Sequence, residues 1–210
     1  MMTFAVLDAA YEQSCASRFP RLRMRLAYPG RLGTMGKIAA VCLLATLMVA
    51  QYTTSAAADM EYRVKAAYLY NFLRFVDWPE QAFSSDDASY ELCLLGHDPF
   101  GSSLTPVSSK RARKRSIHLR HLQPNADASG CHVLFISDSE AKRMPKILRR
   151  LRTAPVLTVS ELPGFAKHGG MVGFVIDRGK VRLEVNLAAV RRSRLRMSSK
   201  LLEVASEVHR

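Results

Sequence analysis

The stretch from Lys65 to Pro79 reads Lys-Ala-Ala-Tyr-Leu-Tyr-Asn-Phe-Leu-Arg-Phe-Val-Asp-Trp-Pro and holds five aromatic residues in fifteen. Val64, Tyr68, Phe72, Phe75 and Val76 recur at intervals of three and four, which predicts one apolar face of a helix, widened by Leu69 and Leu73. Pro79 should end it, because a proline disfavours helical geometry at the residue before it. A helix this apolar has to lie against a sheet, and later runs rich in Val, Leu and Ile can supply one.

The region before this helix reads as a leader. Ile38 to Ala50 is a run of thirteen uncharged residues, preceded by Lys37 and followed by Ala56-Ala57-Ala58, whose small side chains suit a signal peptidase. It is shorter than the ~20 apolar residues a spanning helix requires. The expectation is an N-terminal extension and signal peptide over residues 1–58, cut near Ala58, and a single domain over residues 59–210. Met1 to Thr34 carries scattered arginines and is odd for a leader, and Met35 before Gly-Lys stands where a conventional one would start. Of the 31 basic and 18 acidic residues, six and two precede Asp59, which leaves the exported part at +9. Such charge in a cytoplasmic protein would favour nucleic acid. In an exported chain it favours acidic protein faces and anionic headgroups, so peripheral membrane contact stays open and nucleic acid is not expected. Cys93 and Cys131 are the two cysteines after the leader, and in an oxidising compartment they are expected to form a disulfide. Neither has a second Cys or a suitably placed His at zinc-site spacing, so no metal is expected.

Along the chain, strands are predicted at Tyr90 to Gly96, Ile117 to Leu122 (an edge strand with basic residues outward), Cys131 to Ser137 and Pro155 to Val159. Met171 to Ile176 and Val181 to Leu187 flank Asp177-Arg-Gly-Lys, which is hairpin chemistry because Gly179 can take a positive φ. Helical pieces are predicted at Phe100 to Val107, Asp138 to Leu151, Ala188 to Leu195 and Ser198 to Val208. The pattern implies an α/β fold, a three-layer sandwich whose sheet is mainly parallel with a late antiparallel hairpin.

Four stretches in this order resemble the YfiR/HmsC family of bacterial periplasmic proteins. They are Lys65 to Pro79; Leu92-Cys-Leu-Leu-Gly-His-Asp-Pro-Phe-Gly101; Cys131-His-Val-Leu-Phe-Ile136; and Gly164-Phe-Ala-Lys-His-Gly-Gly-Met171, running on through Glu184-Val-Asn-Leu187 to Ser198-Ser-Lys-Leu-Leu202. The resemblance implies a periplasmic negative regulator. Such a protein binds the periplasmic domain of a membrane-anchored diguanylate cyclase of the YfiN type and represses it, which lowers cyclic di-GMP and biofilm formation. A homodimer is compatible with this reading.

The residues themselves offer little chemistry. Gly96-His-Asp-Pro-Phe-Gly101-Ser-Ser has the glycine spacing of a phosphate loop, but Ser102 stands where the lysine belongs, so a strand-to-helix turn is the simpler reading. His168-Gly-Gly170 resembles a lipase oxyanion loop without the Gly-x-Ser-x-Gly elbow. His97, His118, Asp177 and Glu184 assemble into no nucleophile, base and acid, so no catalytic residue, enzyme activity or cofactor is expected. Five rings on one helix cannot all point inward, and Tyr70 and Trp78, with the loop residues Phe165 and His168, are the candidate partner contacts. The basic run Lys110 to Arg115, and Arg191, Arg192, Arg194 and Arg196, read first as solvated faces and second as contacts to the membrane surface or an acidic partner. The alternative function is a periplasmic small-ligand-binding sensor, with its pocket beyond the carboxyl ends of the strands near Asp98, Pro99 and Phe100.

Overall fold

The computed structural model describes residues 59–209, so the expected leader, its cleavage near Ala58, Cys15 and Cys42 lie outside the described residues. The first helix, α1, occupies residues 59–75 and buries Ala66, Leu69, Phe72 and Leu73. That face is rotated from the predicted stripe, for Val64 is 38% exposed while Tyr68 and Phe75 flank the core half-buried. The chain turns extended earlier than Pro79 requires. Val76–Asp77 forms β1, which pairs antiparallel with the short strand Arg196–Met197 near the C-terminus, Asp77 lying opposite Arg196.

The remaining strands are β2 (Tyr90–Leu95), β3 (Arg111–Ala112), β4 (Arg115–Leu122), β5 (Val133–Ile136), β6 (Leu157–Ser160), β7 (Val172–Asp177), β8 (Lys180–Asn186) and, after β9 (Arg196–Met197), β10 (Ala205–His209). All but β9 join one eight-stranded sheet in the order β10-β8-β7-β6-β5-β2-β4-β3. From β4 to β7 every pairing is parallel, and β7 and β8 form the antiparallel hairpin, turned through Arg178 and Gly179 at φ 49° and 72°. The fold is therefore the expected mixed α/β one with a mainly parallel sheet.

Because successive strand residues point to opposite faces, the sheet carries a core on each side. Leu92, Leu94, Val133, Phe135, Leu157 and Val159 pack with α1, together with Leu104 and with Val107 of α2 (Thr105–Ser108). Cys93, Leu95, Leu134 and Ile136 face the other way, toward Ile147 and Leu148 of α3 (Met144–Arg150). Cys93 and Cys131 are disulfide-bonded across this second core, with Cα atoms 6.0 Å apart.

Two helical expectations need correction. Asp138 to Leu151 is not one helix: a 3-10 turn covers Asp138–Glu140, and α3 starts at Met144 because Pro145 fits the first turn of a helix and not its interior. Ser198 to Val208 is not one helix either. After α4 (Leu187–Arg192), α5 ends at Glu203 (Ser199–Glu203), and Ala205–His209 becomes a strand parallel to β8, whose edge would otherwise leave backbone groups unpaired. No helix among the described residues is long and apolar enough to cross a membrane.

Candidate functional site

Trp78 follows β1 directly, and the pairing of β1 with β9 brings the segment after α4 alongside it. Its indole Nε1 donates to the His132 carbonyl at 3.3 Å, and the ring stands edge-on to Tyr90 at 5.5 Å and to the His132 imidazole at 5.9 Å. The half-buried ring then lines a cleft of about 300 Å³ with Asp77, Pro79, Arg194 and Arg196. That volume sits at the lower bound for a ligand pocket.

Two arginines reach this place through costly backbone. Arg194 follows α4 at φ 59°, with its N–H donating to Arg191 O at 3.0 Å and Leu195 N–H to Val190 O at 3.2 Å. This helix ending normally uses glycine. Arg113 and Lys114 form the β3–β4 turn at φ 46° and 72°, again a glycine or asparagine conformation. Each left-handed non-glycine residue costs about 1–2 kcal/mol. In return Arg113 places Nη1 2.5 Å from Asp77 Oδ1 and donates from Nε to Arg74 O at 2.8 Å. Arg113 thus pairs with Asp77, while Arg194 and Arg196 line the cleft that Asp77 shares with Trp78. Arg113, Arg194 and Arg196 outnumber the one carboxylate among them, and the surplus positive charge suits an anionic group.

Tyr70 extends the same side. Its hydroxyl donates to Arg111 O at 3.1 Å, and Lys110 Nζ lies 5.0 Å from the ring centre. Much of the basic run Lys110 to Arg115 is structural: the Arg111 guanidinium donates to the Lys114 carbonyl, and Arg115 donates to the Ser85 and Ala88 carbonyls at 3.1 and 2.8 Å while stacking on Phe83.

The other two candidate contacts are elsewhere. Phe165 is wholly buried and cannot meet a partner; its ring occupies the space a Cβ on Gly170 would need, so the pair closes the β6–β7 loop from within. His168 is exposed, its Nδ1 2.8 Å from the Gly164 carbonyl. This loop touches the β10 edge through Lys167 and Glu207, 3.5 Å apart, whereas Tyr70 touches β3 at the opposite end of the strand order. The four residues therefore do not make one surface.

At the carboxyl ends of the strands, Phe100 is buried and packs edge-on to Tyr62 at 5.5 Å and Phe135 at 4.8 Å. Beside it Lys65, 3% exposed, bridges Glu61 and Glu161 at 2.5 Å each. Burial opposes the lysine's charge, but the two carboxylates outweigh it and hold its pKa above the ordinary value. These side chains fill the space beside Phe100. Gly96 is a hinge at φ 93°, where a Cβ would lie 2.4 Å from Ser139 Oγ, and Asp98 Oδ1 already accepts the N–H groups of Phe100 and Gly101. Those amides are not free for a phosphate.

The sequence showed the charge of Arg194 and Arg196 but not their meeting at Trp78, since nothing local marks Arg194 as an arginine that will take a left-handed conformation. The sequence model of the YfiR/HmsC-like family matches residues 62–206, which includes all of these positions.

Proposed function

Because the chain belongs to the YfiR/HmsC-like family, whose members are periplasmic regulatory proteins in cyclic di-GMP signalling, we propose that it represses a membrane-anchored diguanylate cyclase. It does so by binding the enzyme's periplasmic domain after export and cleavage near Ala58. The family match carries this reading. The cleft at Trp78, with Arg194 and Arg196 on its wall, Arg113 paired to Asp77 and the Tyr70 rim, is the face we assign to the partner, whose matching surface is acidic. Inhibition is then a shift of population: the regulator moves the cyclase only as far as its affinities for the inactive and active conformations differ. Aromatic and arginine side chains are the types that concentrate energy at such interfaces.

Deleting the protein should raise cellular cyclic di-GMP, and restoring the exported form alone should lower it again. Arg194→Gly combined with Arg196→Glu should weaken co-purification with the cyclase by at least about tenfold, or 1.4 kcal/mol. The fold should survive, because glycine is the usual residue at the first position and the second is exposed. Unchanged cyclic di-GMP after deletion, with the cyclase expressed, would sink the repressor reading in favour of a small-ligand sensor. Normal binding by the double variant would sink the assigned face alone.

A further inference from the structure

β10 does not run in simple register beside β8. Ala205 lies opposite Leu183 and Glu207 opposite Glu184, so one extra residue, Ser206, is absorbed between them, its hydroxyl donating to the Leu183 carbonyl at 3.0 Å. This irregularity brings Glu207 beside Glu184, and His209, two residues on, falls on the same face as Glu207. Two carboxylates directly opposite each other on adjacent strands repel. The register therefore sets two carboxylates side by side, an arrangement that a cation between them would stabilise.

The side chains show where that cation would sit. One ligand atom from each of Glu184, Glu207 and His209 can be chosen so that all three lie within 4.8 Å of one another. Glu184 Oε2 and His209 Nε2 are shielded from solvent and have no hydrogen-bond partner. The nearest approach of His209 Nε2 to Glu207 Oε1 is 3.6 Å, too long for a hydrogen bond. Lys167 Nζ stands 3.5 Å from Glu207 Oε2 and offers its charge to that carboxylate. Leaving buried donors and acceptors unpaired is unfavourable. A metal ion would satisfy both orphaned atoms together.

We propose that Glu184, Glu207 and His209 form a site for one divalent transition-metal ion, best matched by zinc, which fastens β10 to β8. One imidazole with two carboxylates is a donor set that zinc accepts, at about 2.0–2.2 Å, with a fourth position left to water. Calcium and magnesium prefer oxygen alone. The site clips the last described strand to the sheet, so occupancy couples to the order of the C-terminus. The sequence concealed it because the ligands come from two strands and only their register joins them.

The test uses the full chain, purified without a polyhistidine tag and stripped of metal, titrated with zinc against a chromophoric indicator. One zinc should bind per chain and raise the melting temperature. His209→Ala and Glu184→Gln should each weaken binding at least about tenfold and abolish the shift. Glu207→Gln, altering a side chain 46% exposed, guards against misfolding and should behave likewise. Absence of zinc binding at roughly 100 μM, or unchanged affinity in folded variants, would overturn the proposal.

Discussion

The His132 imidazole is 4% exposed, packed against Phe83 with ring centres 4.5 Å apart and edge-on to Tyr90 and Trp78. Its Nδ1 accepts the Glu91 N–H at 3.0 Å, a contact that needs the neutral ring. Burial pushes its pKa down to about 4, against partial opposition from the Glu91 carboxylate. The unfolded chain therefore takes up a proton near pH 6.5 that the folded chain refuses until about pH 4. Above pH 6.5 nothing is lost; as pH falls through that window the protein should lose roughly 3 kcal/mol. Urea unfolding from pH 7 to 4 should show this slope, and His132→Phe should flatten it by about one proton even though the variant starts less stable. An unaltered slope in the variant would assign the acid sensitivity to other groups. Its aromatic surroundings come from three separate segments and leave no local trace in the sequence.

Elements with strong periodicity were the most legible. The aromatic helix, the buried strands β2, β5 and β6, and the hairpin at Arg178-Gly179 could all be read in advance, because each carries its own pattern or turn residue. β10 could not, since Ser198 to Val208 has a helical spacing that the open edge of β8 overrides after Glu203. Phe165 failed for a related reason: a loop phenylalanine reads as exposed unless the glycine that its ring needs, Gly170, is recognised. The disulfide belongs to this level because it ties β2 to the turn that leads into β5, closing a loop of 38 residues. In the chain-entropy account such a loop stabilises by about 4 kcal/mol, before any native-state strain. Cys93→Ser with Cys131→Ser should lower the urea midpoint accordingly, and reduced wild-type protein should follow the double variant. Coincident midpoints for oxidised and reduced wild type would remove the bond from the stability account.

Net charge bears on how the protein would meet the partner proposed for it. The part following the expected leader carries +9, and Arg194 and Arg196 line the Trp78 cleft beside Asp77, which is itself paired with Arg113. A net field of one sign raises the encounter rate with an oppositely charged surface, and that advantage falls steeply with ionic strength. Apolar and aromatic contacts, once made, govern how slowly the complex comes apart. The two contributions can therefore be separated with the cyclase's periplasmic domain immobilised on a sensor surface. Raising salt from 50 to 500 mM should cut the association rate by at least about tenfold, while the dissociation rate changes little. Arg196→Glu should lower association at low salt and weaken its salt dependence, because it removes charge without touching the Trp78 ring. Trp78→Ala should do the reverse, leaving the salt dependence of association intact and speeding dissociation. If association were indifferent to salt, the acidic face assigned to the partner would be wrong, and Arg113 and Arg194 would be left with only their structural bonds to explain their backbone strain.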